Sequence, residues 1–258
     1  METNLTFFLH RDSPLHRLAP VTKLLAVFTL VFMAFISPFD LLPTFLFLFV
    51  ILPLALWGKI GGAFIKLFVK ILLPAIVFLF IMQSVFYPHG QTLLFRIWVL
   101  TVTRESVLFG YLISTRVTVM VSSFIIFLLS THPSDLMMDL CTRGVPSMLS
   151  YIITTSLQII PQMRIKAQSI IDAQRSRGLE TEGRLINRIK ALVPLVRPLI
   201  LGSLVDVEER TIAVEARGFS CPGKKTHLKE IQEIPAEKYI RWFFLLLIIM
   251  TVGSHLWR

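Results

Sequence analysis

Apolar residues gather in five runs, 21–39, 41–57, 71–87, 106–129 and 240–257. Between the fourth and the fifth the pattern changes to helices with one apolar and one charged face. A helix that crosses the hydrocarbon core needs roughly 17–25 apolar residues, and each run meets or approaches that length. Ser37-Pro38-Phe39-Asp40 reads as a tight turn between the first two runs, and 58–62 separates the second from the third. The stretch 92–102 is apolar but too short to span, so it is expected at the surface or re-entering. Pro43, Pro53 and Pro74 interrupt the runs; each removes a backbone donor and kinks a helix. The membrane part is therefore expected to be bent.

The segment 131–238 carries its own helix punctuation. Thr131-His132-Pro133-Ser134-Asp135 has a hydroxyl, a first-turn proline and an acidic residue, as helix starts do. Arg143-Gly144-Val145-Pro146 closes a short helix. A helix is expected over 147–176, with Tyr151, Ile152, Leu157, Ile160, Met163, Ile170 and Ile171 largely on one stripe and Pro161 bending it. Another begins at Glu182, carries Pro194 and Pro198, and runs into Ala216. Such two-faced helices lie along a membrane interface or pack on one another.

Composition supports the membrane reading. Hydrophobic residues make up 54% and charged residues 16%, with a mean hydropathy of +0.71, whereas globular domains carry about a quarter charged residues. The net charge of +10 is better read as topology and lipid contact than as nucleic-acid binding. Of the 26 Lys and Arg, 22 fall on one side of the expected spans and three on the other. The positive-inside rule then puts the N-terminus and 131–238 in the cytoplasm and the C-terminus outside. Residues 1–9 lack the basic region and cleavage site of a signal peptide, so the first run is expected to stay in the mature protein. Trp57, Trp98, Trp242 and Trp257 lie mostly near the ends of apolar runs, as interfacial anchors do.

Two helix endings stand out: Ser176-Arg177-Gly178-Leu179 and Ala216-Arg217-Gly218-Phe219, their arginines 40 residues apart. Glycine after the last turn takes the left-handed conformation that stops a helix. The arginine sits where the last carbonyls concentrate negative potential, worth roughly 0.3–1 kcal/mol. It also projects a planar fork of donors past the helix tip, suited to an acidic groove. Arg-Gly is a common ending, but two in parallel context, with Ala173 and Ala213 four residues before each arginine, suggest a part that plugs into two equivalent sockets.

Other chemistry is sparse. No Asp or Glu lies inside the five runs, which disfavours an ion-coupled stand-alone carrier. A membrane-embedded enzyme is disfavoured by the missing nucleophile–base constellation and metal cluster; no cofactor or metal is expected. Arg116, near the middle of the fourth run, is the intramembrane candidate. Its charge is either functional or a guanidinium snorkelling along a tilted helix or satisfied by neighbouring hydroxyls and carbonyls. Gly218-Phe219-Ser220-Cys221-Pro222-Gly223-Lys224 has phosphate-loop spacing, but Lys225 follows where Ser or Thr is needed and a helix precedes it instead of a strand. Cys141 and Cys221 are too few for a disulfide framework or zinc site.

The residues resemble the transmembrane coupling (T) component of energy-coupling factor transporters, ATP-driven importers of vitamins and of cobalt or nickel ions. Ser13-Pro14-Leu15-His16-Arg17-Leu18-Ala19-Pro20-Val21-Thr22-Lys23-Leu24-Leu25 is similar to the family's opening, with Ala19 where an aspartate is usual. Thr131-His132-Pro133-Ser134-Asp135-Leu136 is similar to its lead-in to the cytoplasmic part. Ile160-Pro161 with Ala173-Gln174-Arg175-Ser176-Arg177-Gly178 resembles its first coupling helix, and Ala213-Val214-Glu215-Ala216-Arg217-Gly218-Phe219 its second. The resemblance implies an all-α membrane protein with about five bent transmembrane helices and a cytoplasmic coupling domain of amphipathic helices. The membrane domain is then 1–130, the coupling-helix domain 131–238 and the last helix 239–258. It further implies a non-catalytic, multi-pass subunit of a prokaryotic plasma membrane. In it Ser176, Arg177, Gly178, Ala216, Arg217 and Gly218 would dock two ATP-binding cassette ATPases. A small substrate-binding membrane protein and the lipid bilayer are the other partners.

Overall fold

A computed structural model of the chain describes residues 13–37, 39–86, 92–97, 100–178, 185–221 and 235–256. The expectations for residues 1–9, for Pro38, for the start of the helix at Glu182 and for Trp98 and Trp257 fall outside them. The contacts divide the chain into two compact units, Met1–Val145 with Ile231–Arg258, and Pro146–Glu230.

In the first unit a short helix α1 (Pro14–Arg17) precedes α2 (Pro20–Ile36). Helices α3 (Leu42–Trp57) and α4 (Gly61–Phe86) follow, joined by a turn in which Lys59 takes a positive φ of 54°. Helix α4 starts ten residues before the expected run, so Lys66 and Lys70 lie in its first turns instead of in a connection. Helices α4 and α5 (Arg104–Ser130) are each long and apolar enough to cross a membrane; α2 and α3 are shorter apolar helices. Helices α6 (Pro133–Thr142) and α9 (Pro235–Leu256) complete the unit, and α9 packs along α2.

Two of the three prolines leave a mark inside their helices. In α3 a π-helical turn, Phe47–Ile51, ends two residues before Pro53, and Leu52 N donates to Phe47 O. In α4 the same widening, Phe68–Leu72, precedes Pro74, and Leu73 N donates to Phe68 O. A proline ring clashes with the carbonyl four residues earlier; an i→i+5 turn moves that carbonyl aside. Pro43 sits in the first turn of α3, where its missing donor costs nothing.

The stretch after α4 departs from an all-α chain. Leu93–Ile97 (β1) pairs antiparallel with Leu100–Thr103 (β2), Arg96 opposite Thr101 and Ile97 opposite Leu100. Four- and five-residue apolar segments cannot sustain a helix, but they can satisfy each other's backbone as a hairpin. Thr103 then caps α5 reciprocally: Ser106 N donates to Thr103 Oγ1 at 3.3 Å and Thr103 N to Ser106 Oγ at 3.0 Å.

Small or hydroxyl residues recur every fourth position along α5 at Gly110, Ser114, Thr118 and Ser122, all buried. A Cβ on Gly110 would stand 2.7 Å from Ser84 Oγ, so glycine there admits α4 at close range. The core gathers Leu15, Ala34, Leu46, Ile51, Phe64, Val119, Ile126 and Leu129. Phe28, Phe32, Phe35, Phe45, Phe49 and Phe78 face outward. In water such a surface would aggregate; against lipid tails it is in its own solvent.

The second unit is a helix pair, α7 (Ser147–Ser176) and α8 (Leu185–Ala216), of 30 and 32 residues. Helix α7 buries none of its residues.

Candidate functional site

Both singled-out endings lie in the second unit, and both close as their glycines dictate. Gly178 adopts φ +86° and its N–H donates to Arg175 O at 2.9 Å. Gly218 adopts φ +71°; its N–H donates to Glu215 O at 2.8 Å, and Phe219 N to Val214 O at 3.2 Å. The second set is the crossed pair of bonds by which a left-handed glycine satisfies the last carbonyls of a helix. Ser176, Arg177, Gly178, Ala216 and Arg217 are exposed. The Ser176 hydroxyl turns back to Asp172 O at 3.0 Å. Among the described residues neither the Arg177 nor the Arg217 guanidinium makes a hydrogen bond or ion pair.

The helix pair sets the distance between these tips. Tyr151 stacks obliquely on Phe219, ring centroids 5.0 Å apart. Further along, Arg210 Nη2 donates to Gln162 Oε1 at 3.3 Å, Ser203 Oγ to Met163 Sδ at 3.4 Å, and Lys166 Nζ to Asp206 Oδ2 at 2.6 Å. As residue numbers rise along α7 they fall along α8, so the helices are antiparallel. Arg217 therefore sits level with the start of α7 and Arg177 at its end. At 1.5 Å per residue the interval from Tyr151 to Arg177 is about 40 Å.

Lys166 pins the pair. Its Nζ reaches Gly202 O at 2.9 Å as well as the Asp206 carboxylate. A Cβ on Gly202 would stand 2.9 Å from that lysine's Cε and Nζ, so the glycine opens the lane the side chain uses. The ion pair is largely exposed and contributes modestly; its role is register. Sequence reading missed this pin, because nothing local marks Lys166 as different from the other basic residues of α7.

A third Arg-Gly ending sits in the first unit. Helix α6 stops at Arg143-Gly144, with Gly144 at φ +109° and the same crossed bonds, Gly144 N to Cys141 O and Val145 N to Leu140 O. Here the arginine is occupied: Arg143 Nε lies 2.9 Å from Oδ1 of buried Asp139, four residues earlier. At the corresponding positions before Arg177 and Arg217 stand Ala173 and Ala213. A left-handed glycine closes the helix all three times, and the residue four before the arginine decides whether its fork is taken.

Arg116 belongs to the first unit, half-buried in α5. Its Nε is buried without a hydrogen-bond partner among the described residues, as are the hydroxyls of Ser84, Ser114 and Ser122. No group of three or more metal-ligating side chains occurs among the described residues. Of the phosphate-loop spacing, Gly218–Cys221 forms the turn that ends α8, and 222–225 lie outside the described residues.

Comparison with known proteins gives this arrangement its kin. The sequence model of the cobalt transport protein family, CbiQ, matches residues 11–228. Curated relatives are similar over most of their length. The energy-coupling factor transporter transmembrane protein EcfT of Staphylococcus aureus (strain 04-02981) is 31% identical over 242 residues, covering 87% of this chain and 87% of the relative. The protein of the same name from Lactococcus lactis subsp. cremoris (strain MG1363) is 26% identical over 256 residues, 95% of this chain and 94% of the relative. That of Bacillus subtilis (strain 168) is 26% identical over 233 residues, 85% of each. The family match spans α1 to α8, and on it and the 31% identity to the Staphylococcus aureus relative the chain belongs to the family of transmembrane components of energy-coupling factor transporters.

Proposed function

We propose that this chain is the non-catalytic transmembrane subunit of an ATP-driven importer of a bacterial plasma membrane, and that Arg177 and Arg217 are its two points of attachment to ATPase subunits. The observation that carries this reading is the pair of guanidinium forks, without a partner among the described residues, at opposite ends of one antiparallel helix pair. Two like sockets on two ATPases accept two like plugs, and a separation of about 40 Å gives each its own subunit. Ser176, Gly178, Ala216 and Gly218 shape the tips: small residues and left-handed glycines keep bulk away from the fork.

Helices α7 and α8 expose Met148, Leu149, Ile152, Leu157, Val196 and Leu204. These apolar faces are the seat of a substrate-binding membrane protein, which would choose the vitamin or metal ion carried. ATP-driven movement of the ATPases shifts the tips, and the helix pair passes that movement on. The residues of 131–238 face the cytoplasm and the C-terminus lies outside, in accord with the distribution of basic residues. In that topology 1–130 and 239–258 form the membrane part and 131–238 the cytoplasmic part, whose flanks 131–145 and 231–238 belong to the first compact unit. Nucleotide is bound and hydrolysed by the partner subunits, since the phosphate-loop spacing lacks its strand and its hydroxyl.

The test is capture of both ATPase subunits by the tagged chain in detergent. Wild type is expected to retain both, and Arg177→Ala with Arg217→Ala to lose them while the chain stays folded. Wild-type capture and uptake by the double variant would sink the proposal.

A further inference from the structure

Helix α2 begins without a cap of its own. Its N-cap residue is Ala19, followed by Pro20, and no side chain of the segment bonds to the first-turn amides. Exposed amides at a helix start attract negative charge, and here two carboxylates arrive from far along the chain. Both Glu237 oxygens lie 3.2 Å from Ala19 N, and Oε2 also accepts from Thr22 Oγ1 at 3.2 Å. Asp139 Oδ2 accepts from Val21 N at 2.9 Å while its Oδ1 holds Arg143. Glu237 is 0% exposed and Asp139 2%. One turn on, buried Lys23 donates to Ser130 O, at the last residue of α5, at 2.9 Å. The ends of α2, α5, α6 and α9 are thus tied by charge-assisted bonds around one point.

These two carboxylates come from the two places where the chain leaves and rejoins the first unit. Asp139 lies seven residues before Pro146, where the helix-pair unit begins, and Glu237 seven residues after Glu230, where it ends. We propose that the Asp139–α2–Glu237 cluster is the joint through which movement of the helix-pair unit enters the membrane helices, with Asp139 and Glu237 as positioning residues. Buried charge-assisted bonds make a stiff connection that apolar contact alone does not. With both carboxylates on the same helix start, displacement of either flanking segment pulls α2.

This inference rests on the coupling function proposed above, and its test separates the two. The full chain is reconstituted with its ATPases and substrate-binding partner in liposomes, and ATP hydrolysis and uptake are measured together. The probes are radiolabelled B vitamins, Co2+ and Ni2+. In Glu237→Ala and Asp139→Ala, ATPase capture and hydrolysis are expected to persist. Transport per ATP falls by about tenfold, the change that one unsatisfied buried bond brings. A third variant, Glu237→Ala with Ala19→Asp, returns a carboxylate to the helix start but not the link to α9. It is expected to regain thermal stability and not transport per ATP, and it takes the place of Glu237→Ala if that variant fails to assemble. Unchanged transport per ATP in the single variants, its recovery by Ala19→Asp, or failure of every variant to assemble would each overturn the joint. Absence of uptake by the wild-type complex, or ATPase capture by the Arg177/Arg217 double variant, would instead overturn the coupling function.

Discussion

The three Arg-Gly helix ends of this protein share a left-handed glycine and differ in employment. At Arg143 the guanidinium is folded back onto Asp139, and the aspartate in turn holds the start of α2. At Arg177 and Arg217 the residue four before is alanine, and both arginines are exposed, with no partner among the described residues. The difference teaches that an Arg-Gly ending by itself says only that a helix stops. What makes a tip available is the absence of an acid one turn back, where i,i+4 pairs meet. Helix α6 uses its arginine to build the unit it belongs to; α7 and α8 leave theirs for something else.

The largest break in that comparison should come from the exposed arginines. Truncating one partner of a buried interfacial charge pair costs about 2–5 kcal/mol. Arg177→Ala and Arg217→Ala should therefore each weaken ATPase capture markedly, and together abolish ATP-driven uptake in proteoliposomes. Arg143→Ala should do the reverse. Capture of the ATPases stays at the wild-type level, and thermal unfolding shows a loss of about 1–2 kcal/mol because buried Asp139 keeps one donor and loses the other. If Arg143→Ala released the ATPases as Arg177→Ala does, the distinction between occupied and free tips would be void.

A smaller effect is expected from Gly218→Ala. The left-handed conformation costs a residue with a Cβ about 1 kcal/mol, and the helix end should fray, misdirecting the fork. Hydrogen exchange at Phe219, whose amide closes the turn, would report it as faster exchange. The smallest effect sharpens the comparison most. Ala173→Asp with Ala213→Asp should give Arg177 and Arg217 the partner that Arg143 has. An exposed i,i+4 pair contributes about 0.2–0.5 kcal/mol, so ATPase affinity should fall about twofold per tip, and less in high salt. An affinity that rises, or that falls equally with Ala→Asn at the same positions, would remove the charge argument.

Much of this was legible because it is local. The start and stop of α7 at Ser147 and Ser176 follow from Pro146 before and Arg177-Gly178 after, and composition marked the apolar helices α2 to α5, of which α4 and α5 are long enough to cross a membrane. The aspartate before Arg143 stood in the same sequence as the two alanines and was the signal that separates the three endings. The hairpin at Leu93–Thr103 was not readable, since a short apolar run says nothing of the partner that gives it a register. The early start of α4 was hidden by Lys66 and Lys70, which look like loop residues until their aliphatic stems have a helix to follow. The widened turns before Pro53 and Pro74 answer a steric conflict that propensity registers only as a break. The carboxylates on α2 were beyond reach: Glu237 is 218 residues from Ala19 and Asp139 is 118 from Val21. Each alone reads as a solvated charge, Glu237 in the first turn of α9 and Asp139 in the second half of α6.

The clasp on α2 has one more implication, for how such a chain can vary. Because the segments on either side of Pro146–Glu230 are fastened to the same helix start, that unit is an excursion from a single place. A change in the length, the tips or the sequence of that unit would leave the bonds of Asp139 and Glu237 to the start of α2 in place. Under the coupling proposed above, a different ATPase pair would call for changes in that excursion and not in the membrane helices.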